Sequence, residues 1–252
     1  MSGHSKWHNI KGKKGVEDAK RGKLFTKLGK EIVVAAREGG GNIDTNPRLR
    51  TAMEKAKAGG MPNDNIDRAL RRGTGELKDG AVIEELVYEG YGPSGVALLV
   101  ELTSDNKNRS SAEMRKIFSK FGGSMGEQGC VSWMFTPTGK IVLKDEKIKE
   151  DDAFEIASKV NANDVQQEDG HFVLIVDPKT IYASKDILEK EGIAIDSAET
   201  VKIPNTWVAL EGDKAVSLLK LLTELEDQDD VDEVYGNYEI SDADMEKFYD
   251  SN

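Results

Sequence analysis

The sequence predicts an α+β protein: an N-terminal three-helix bundle followed by two ferredoxin-like α+β domains, the second inserted in the first. Three observations predict it. Apolar residues recur at helical spacing up to about residue 72, and the period shortens to two from about residue 82. Residues 137–204 then run strand, helix, strand, strand, helix, strand, an order that closes on itself. A chain of 252 residues suits two or three compact units. The expected divisions are 1–78 (basic arm and bundle), 79–136 plus 205–240 (a discontinuous middle domain), 137–204 (the insert) and 241–252 (a C-terminal tail).

Residues 1–15 hold Gly3, Gly12 and Gly15 and no periodic apolar set, so an arm that orders on a partner is expected. A helix is expected over 17–38. Leu24, Leu28, Ile32 and Ala35 form its buried stripe, while Lys20, Lys23, Lys27 and Lys30 share another face, turned outward. Gly39, Gly40 and Gly41 end it. The second helix opens near Pro47, buries Leu49, Ala52, Met53 and Ala56, and stops at Gly59. The third follows Pro62 with Ile66, Ala69 and Leu70 inside and Arg68, Arg71 and Arg72 outside.

Strands are expected over 82–91 and 96–102, turned by Gly92, Pro93, Ser94 and Gly95. A polar loop, 103–108, leads to a helix opened by the capping box Ser110-x-x-Glu113 and burying Met114, Ile117, Phe118 and Phe121. That loop reads equally as a binding edge or as an Asx-rich connection. A strand is expected over 131–135. The insert places strands at 140–144, 163–168, 171–176 and 193–203, with helices at 150–160 and 178–191. Residues 207–210 and 231–238 read as strands completing the sheet begun at residue 82, around a helix burying Ala215, Leu218, Leu219, Leu222 and Leu225. The acidic run 226–233 reads as a solvated loop.

Charge carries the functional reading. Residues 1–30 hold nine Lys/Arg against two acids in a chain of net charge −11. Over 1–78 the balance is 18 basic against 9 acidic, net +9, and over the remainder 17 against 37, net −20. A lysine-rich end is often only solvated. Two bodies of opposite sign are not what a solubility argument predicts, and polyphosphate is the usual partner of such a stretch. The candidate nucleic-acid-binding residues are Lys6, Trp7, His8, Lys11, Lys13, Lys14, Lys20, Arg21, Lys23 and Lys27, with Arg68, Arg71 and Arg72 as a second patch. The cations would neutralise phosphates, and Trp7 would stack or wedge.

Other chemistry finds little support. His4 and His8 are four apart, but the glycine beside them argues against a helix and no third ligand is near, so no metal is expected. His171 reads as structural, and Cys130 as a small half-buried residue rather than a nucleophile. Three histidines assemble no catalytic set, so no catalytic residue and no cofactor are expected. Gly122, Gly123, Gly126 and Gly129 lack the Gly-Lys-Ser/Thr ending of a P-loop and read as a helix cap and turn. A single cysteine fits a reducing cytosol. With no apolar run of about 18 residues and no apolar core in a signal peptide, a cytoplasmic protein without a membrane partner is expected, a monomer favoured.

Several stretches carry a likeness in order: 1–11 (MSGHSKWHNIK), 60–70 (GMPNDNIDRAL), 88–95 (YEGYGPSG), 103–109 (TSDNKNR) and 118–123 (FSKFGG). Through them the whole chain resembles the YebC/PmpR family. The resemblance implies a helical N-terminal domain and two α+β domains, in cytoplasmic bacterial proteins described as DNA-binding transcriptional regulators. Mitochondrial relatives resemble a translational activator of cytochrome c oxidase subunit I, which points to the ribosome. In the middle loop this chain has Thr103-Ser104-Asp105-Asn106 where the family pattern often has Thr-Asp-Asn. The expected function is that of a non-enzymatic nucleic-acid-binding regulator of gene expression acting on DNA. The alternative is a translation factor bound to ribosomal RNA, since the third helix is short and arginine-faced, and a glycine-spaced lysine arm suits folded RNA.

Overall fold

The structure, a computed structural model, describes residues 17–77 and 82–250, with the side chains of 17–20, 249 and 250 left out of the description. Helices α1 (Glu17–Gly39), α2 (Pro47–Ala58) and α3 (Asn63–Gly73) follow the apolar periodicity. Ile32, Val34, Ala35 and Ala36 of α1 pack against Leu49, Ala52, Ala56, Ile66 and Ala69. The small side chains let the helices approach closely: a Cβ on Gly73 would lie 2.6 Å from the Val33 carbonyl oxygen. Buried Asn46 stitches the first corner. Its side chain accepts the Leu49 N–H at 3.0 Å, capping α2, and its amide donates to the carbonyls of Ala35 and Gly40 at 2.7 and 2.8 Å. Leu24, expected in the buried stripe, is exposed, and burial along the stripe is complete only from Ile32. Helices of 12 and 11 residues cover only part of a 23-residue partner.

Strands β1 (Glu84–Tyr91) and β2 (Ala97–Ser104) form an antiparallel hairpin in register from Glu84↔Ser104 to Tyr91↔Ala97. Ser94 and Gly95 turn it at φ 61° and 76°. Helix α4 (Lys107–Lys120) and the short β3 (Ser124–Met125) follow, β3 pairing with β1. Next come β4 (Phe135–Leu143), α5 (Glu150–Lys159), β5 (Asp164–Glu168), β6 (His171–Val176), α6 (Ile181–Lys190) and β7 (Ile195–Pro204). The chain ends with β8 (Val208–Leu210), α7 (Gly212–Glu226), β9 (Val231–Gly236), β10 (Tyr238–Ile240) and α8 (Asp242–Asp250).

Residues 135–205 form one compact unit, and the described residues on either side form the other. In the first, the antiparallel sheet runs β5-β6-β4-β7, the ferredoxin-like arrangement. Ile141, Leu143, Leu174, Val176 and Leu188 fill its core, and His171, as expected, is structural, its Nδ1 3.0 Å from the Leu143 carbonyl. In the larger unit the sheet runs β3-β1-β2-β9. Leu98, Val100 and Leu102 meet Met114 and Phe118 of α4 and Leu218, Leu222 and Leu225 of α7.

The α+β class holds, but four local expectations give way. The middle sheet is not ferredoxin-like in strand order, because its hairpin turn is too short for anything but pairing consecutive strands. Residues 231–238 split at buried Asn237, whose Oδ1 accepts the Ala97 N–H at 2.7 Å, so β10 leaves the sheet and pairs in parallel with β8. Ser110 does not open α4: Asn106 is the cap, accepting the Arg109 N–H at 3.1 Å, and Ser110 lies buried in the first turns. Residues 132–134 form a 3₁₀ turn rather than a strand. The carboxylate of buried Glu89 takes the N–H groups of Gly129, Val131 and Ser132 at 2.7, 2.8 and 2.8 Å, removing them from any ladder.

Candidate nucleic-acid interface

Lys23 and Lys30 lie two turns apart on one face of α1, and both reach acceptors in the segment after α7. Lys23 Nζ donates to the Asp227 carbonyl at 2.7 Å and lies 3.5 Å from Asp229 Oδ1. Lys30 Nζ donates to Asp230 Oδ1 at 2.6 Å, to the Thr103 carbonyl at 2.8 Å and to the Asp229 carbonyl at 3.2 Å. Residues 227–230 follow the last turn of α7, where unpaired carbonyls and carboxylates add to a local negative potential. The acidic run is therefore not a solvated loop. Part of it is docked on the lysine face expected to look outward.

Asp230 is the hub. Besides Lys30 it receives Arg109 Nη2 at 2.7 Å and the hydroxyls of Ser104 and Ser110 at 2.8 and 3.1 Å. Burial alone would raise its pKa, but the hydrogen bonds from Lys30, Arg109 and Ser104 outweigh it and hold the carboxyl below the usual carboxylate range. Asp232 goes the other way. Half-buried beside Thr103, whose hydroxyl donates to it at 2.5 Å, it is pushed up from 3.8 to about 6 by desolvation, against the pull of that bond and of Lys27 and Lys30. The polar stretch 103–109 thus serves as the connection that brings Ser104, Arg109 and Ser110 to one carboxylate.

Beside this hub the bundle and the middle elements enclose a cleft of about 900 Å³. Lys23, Lys30, Arg68 and Arg72 line its bundle side, the two arginines one turn apart on α3 together with Asn65. Asp105, Arg109 and Glu113 of the α4 region and residues 227–230 line the side opposite. A basic wall faces a mainly acidic one.

Of the residues singled out from sequence, Lys23, Arg68 and Arg72 meet along this cleft. Arg71 is not among the lining residues and lies 3.4 Å from Glu76. Arg21 is exposed and Lys27 half-buried. Lys6, Trp7, His8, Lys11, Lys13 and Lys14 fall outside the described residues, as does the side chain of Lys20. Lys30, Arg109 and Asp230 were missed as cleft residues. The signals were the suggestive stretch 103–109 and the acidic run, but nothing local links either to α1.

Elsewhere, Glu89 fixes the turn that carries Trp133, 72% exposed, whose indole N–H donates to the Cys130 carbonyl at 3.2 Å. Burial and the Glu89 charge push the half-buried Cys130 thiol up, which disfavours the thiolate a nucleophile needs. Among the described residues no cluster of three or more His, Cys, Asp or Glu is placed to hold a metal ion. Among the same residues no helix is long and apolar enough to cross a membrane.

Fold and cleft define a class: a small basic helical bundle seated on a discontinuous α+β unit that carries a ferredoxin-like insert. Two family models match, the TACO1/YebC protein N-terminal domain over residues 5–76 and the TACO1/YebC second and third domain over residues 83–238. The chain belongs to the TACO1/YebC family. It is 53% identical to a probable transcriptional regulatory protein of Trichlorobacter lovleyi, over 98% of this chain and 99% of that protein. It is also 53% identical to a protein of the same description from Persephonella marina, again over 98% and 99%. The crystal structure of a conserved hypothetical protein from Aquifex aeolicus matches with a TM-score of 0.80 at 44% identity, covering 89% of this chain and 93% of that one.

Proposed function

We propose that this protein is a non-enzymatic, DNA-binding regulator of transcription that grips phosphate through its basic N-terminal region. The observation that carries the reading is the basic wall of the cleft, where Lys23 of α1 and Arg68 and Arg72 of α3 stand in front of Lys30, which Asp230 holds. Cations on rigid helices at such spacing suit successive phosphates, whose neutralisation releases counterions and drives binding. In the sequence, Lys6, Lys11, Lys13, Lys14, Lys20, Arg21 and Lys27 add positive charge, with Trp7 as a stacking group. Arg71 supplies a further cation on α3. The names of the relatives, probable transcriptional regulatory proteins, support a regulatory role without catalysis.

A second reading, binding to ribosomal RNA as a translation factor, is favoured by one feature. Asn65, Arg68 and Arg72 of α3 line the cleft and face the wall opposite, whereas a helix that reads bases in a major groove must present that face to the groove. A cleft that grips backbone phosphates suits folded RNA at least as well.

Competition settles the choice. With a labelled promoter-containing duplex bound to the full chain, excess structured ribosomal RNA and excess unlabelled duplex are compared as competitors, with co-sedimentation on ribosomes in parallel. A transcriptional regulator keeps its duplex against RNA and stays off ribosomes. Displacement by RNA together with co-sedimentation supports the second reading. Binding to neither polynucleotide overturns both.

A further inference from the structure

We propose that Asp227 and Asp229, in the segment after α7, form an internal phosphate mimic, an outer latch over Lys23 on the basic wall of the bundle that an incoming polynucleotide backbone displaces. The inference rests on the nucleic-acid reading above and adds a mechanism of regulation to it. Lys23 and Lys30 are already coordinated as phosphate-binding lysines would be, each by oxygens at 2.6–3.5 Å. Those oxygens are the Asp227 and Asp229 carbonyls and the Asp229 and Asp230 carboxylates after a helix C-terminus, and the Thr103 carbonyl. Farther along the cleft, Arg68 and Arg72 share the lining with Asp105 and Glu113, and Asp105 accepts Arg109 Nη2 at 3.0 Å.

The contacts are graded. The outer pair, Lys23–Asp229, has side chains 47% and 66% exposed, a setting in which an ion pair is worth little and exchanges readily. The inner pair, Lys30–Asp230, is 14% and 13% exposed and braced by Arg109 and two serines. A phosphate arriving from solvent therefore meets the releasable contact first, while the inner pair keeps the bundle attached. Such a latch lowers affinity for isolated anions, which gain too little to displace both carboxylates. It yields to a polyanion, which replaces them in succession.

The test compares two variants of the full chain that lose the same charge. Asp227→Asn with Asp229→Asn removes the two exposed carboxylates of the outer latch and leaves Lys23 only the Asp227 carbonyl there. Asp151→Asn with Asp152→Asn removes two exposed acids from α5 of the insert. Affinity for duplex DNA and for structured RNA is read by fluorescence anisotropy. The latch variant is expected to bind about three- to tenfold more tightly than wild type, and the α5 variant to change less than about twofold. Amide exchange in 226–229 is expected to rise when wild type is saturated with the polynucleotide it binds. Equal shifts in the two variants, or protection of 226–229 that persists in the complex, overturn the latch and leave the nucleic-acid reading standing. A wild-type chain that binds neither polynucleotide overturns that reading, and the latch with it.

Discussion

Lys30 and Asp230 stand 200 residues apart in the chain and 2.6 Å apart in space, with only 14% and 13% of their side chains exposed. This pair anchors the bundle to the middle elements. Removing one partner strands the other charge in a half-dry site. Asp230→Ala leaves Lys30 without its carboxylate and Arg109 with Asp105 alone at 3.0 Å, and is expected to cost about 3 kcal/mol, against about 2 kcal/mol for Lys30→Met, where Arg109 and the serines still serve Asp230. Urea unfolding of each variant checks this. A midpoint unchanged in Asp230→Ala refutes the anchoring role.

Asp232 sets a pH dependence of opposite sign to that of its neighbour. Its folded pKa of about 6 lies above the ordinary 3.8, so the folded chain holds that proton more tightly. The stabilisation this brings is complete below about pH 4 and lost as pH rises through about 6, at most about 3 kcal/mol. Asp230, held below the usual range, contributes stability that is present at neutral pH and lost in acid. Measured across this range, the urea midpoint of wild type is expected to fall relative to Asp232→Asn between about pH 4 and about pH 6.5. Parallel curves contradict the assignment.

Glu89 makes a third case. A glutamine there turns an amide N–H₂ toward backbone donors, so Glu89→Gln is expected to cost about 2 kcal/mol and to loosen residues 129–132. It also removes the charge that, with burial, raises the Cys130 thiol. The rate of modification by a disulfide reagent at neutral pH should therefore rise several-fold. A rate equal to wild type counts against the lock.

Gly73 tests the bundle itself. A methyl group there meets the Val33 carbonyl oxygen at 2.6 Å and the Ala36 side chain at 2.7 Å. Gly73→Ala is expected to destabilise by about 1–3 kcal/mol despite its better helix propensity. Thermal unfolding followed by circular dichroism reads it, and a raised midpoint contradicts the close approach of α1 and α3.

What was legible in the sequence was what local spacing encodes. The stripes of α1 to α3, the hairpin at 84–104 and the whole strand–helix order of the insert follow from periodicity and glycine punctuation within windows of a few turns. What was not legible depends on partners distant in sequence. The lysine face of α1 reads as outward because its acceptors, Asp227, Asp229 and Asp230, arrive some 200 residues later. The capping pattern at Ser110 and Glu113 is genuine in form, yet Asn106 caps first and Ser110 is drawn inward to Asp230. Residues 131–135 have strand composition, but a carboxylate from β1 takes the hydrogen bonds that a strand would need. Of the cleft, the arginines of α3 were visible, and the wall facing them was not.

The central claim is that the cations of the cleft carry nucleic-acid binding. Its most direct measurement is the salt dependence of affinity for duplex DNA and structured RNA, from about 50 to about 200 mM KCl, for wild type and for Arg68→Gln with Arg72→Gln. We expect a wild-type slope of log affinity against log salt near −5 on duplex DNA, and a slope shallower by about 2 in the double variant, with weaker binding throughout. An unchanged slope and affinity in the variant would contradict the account.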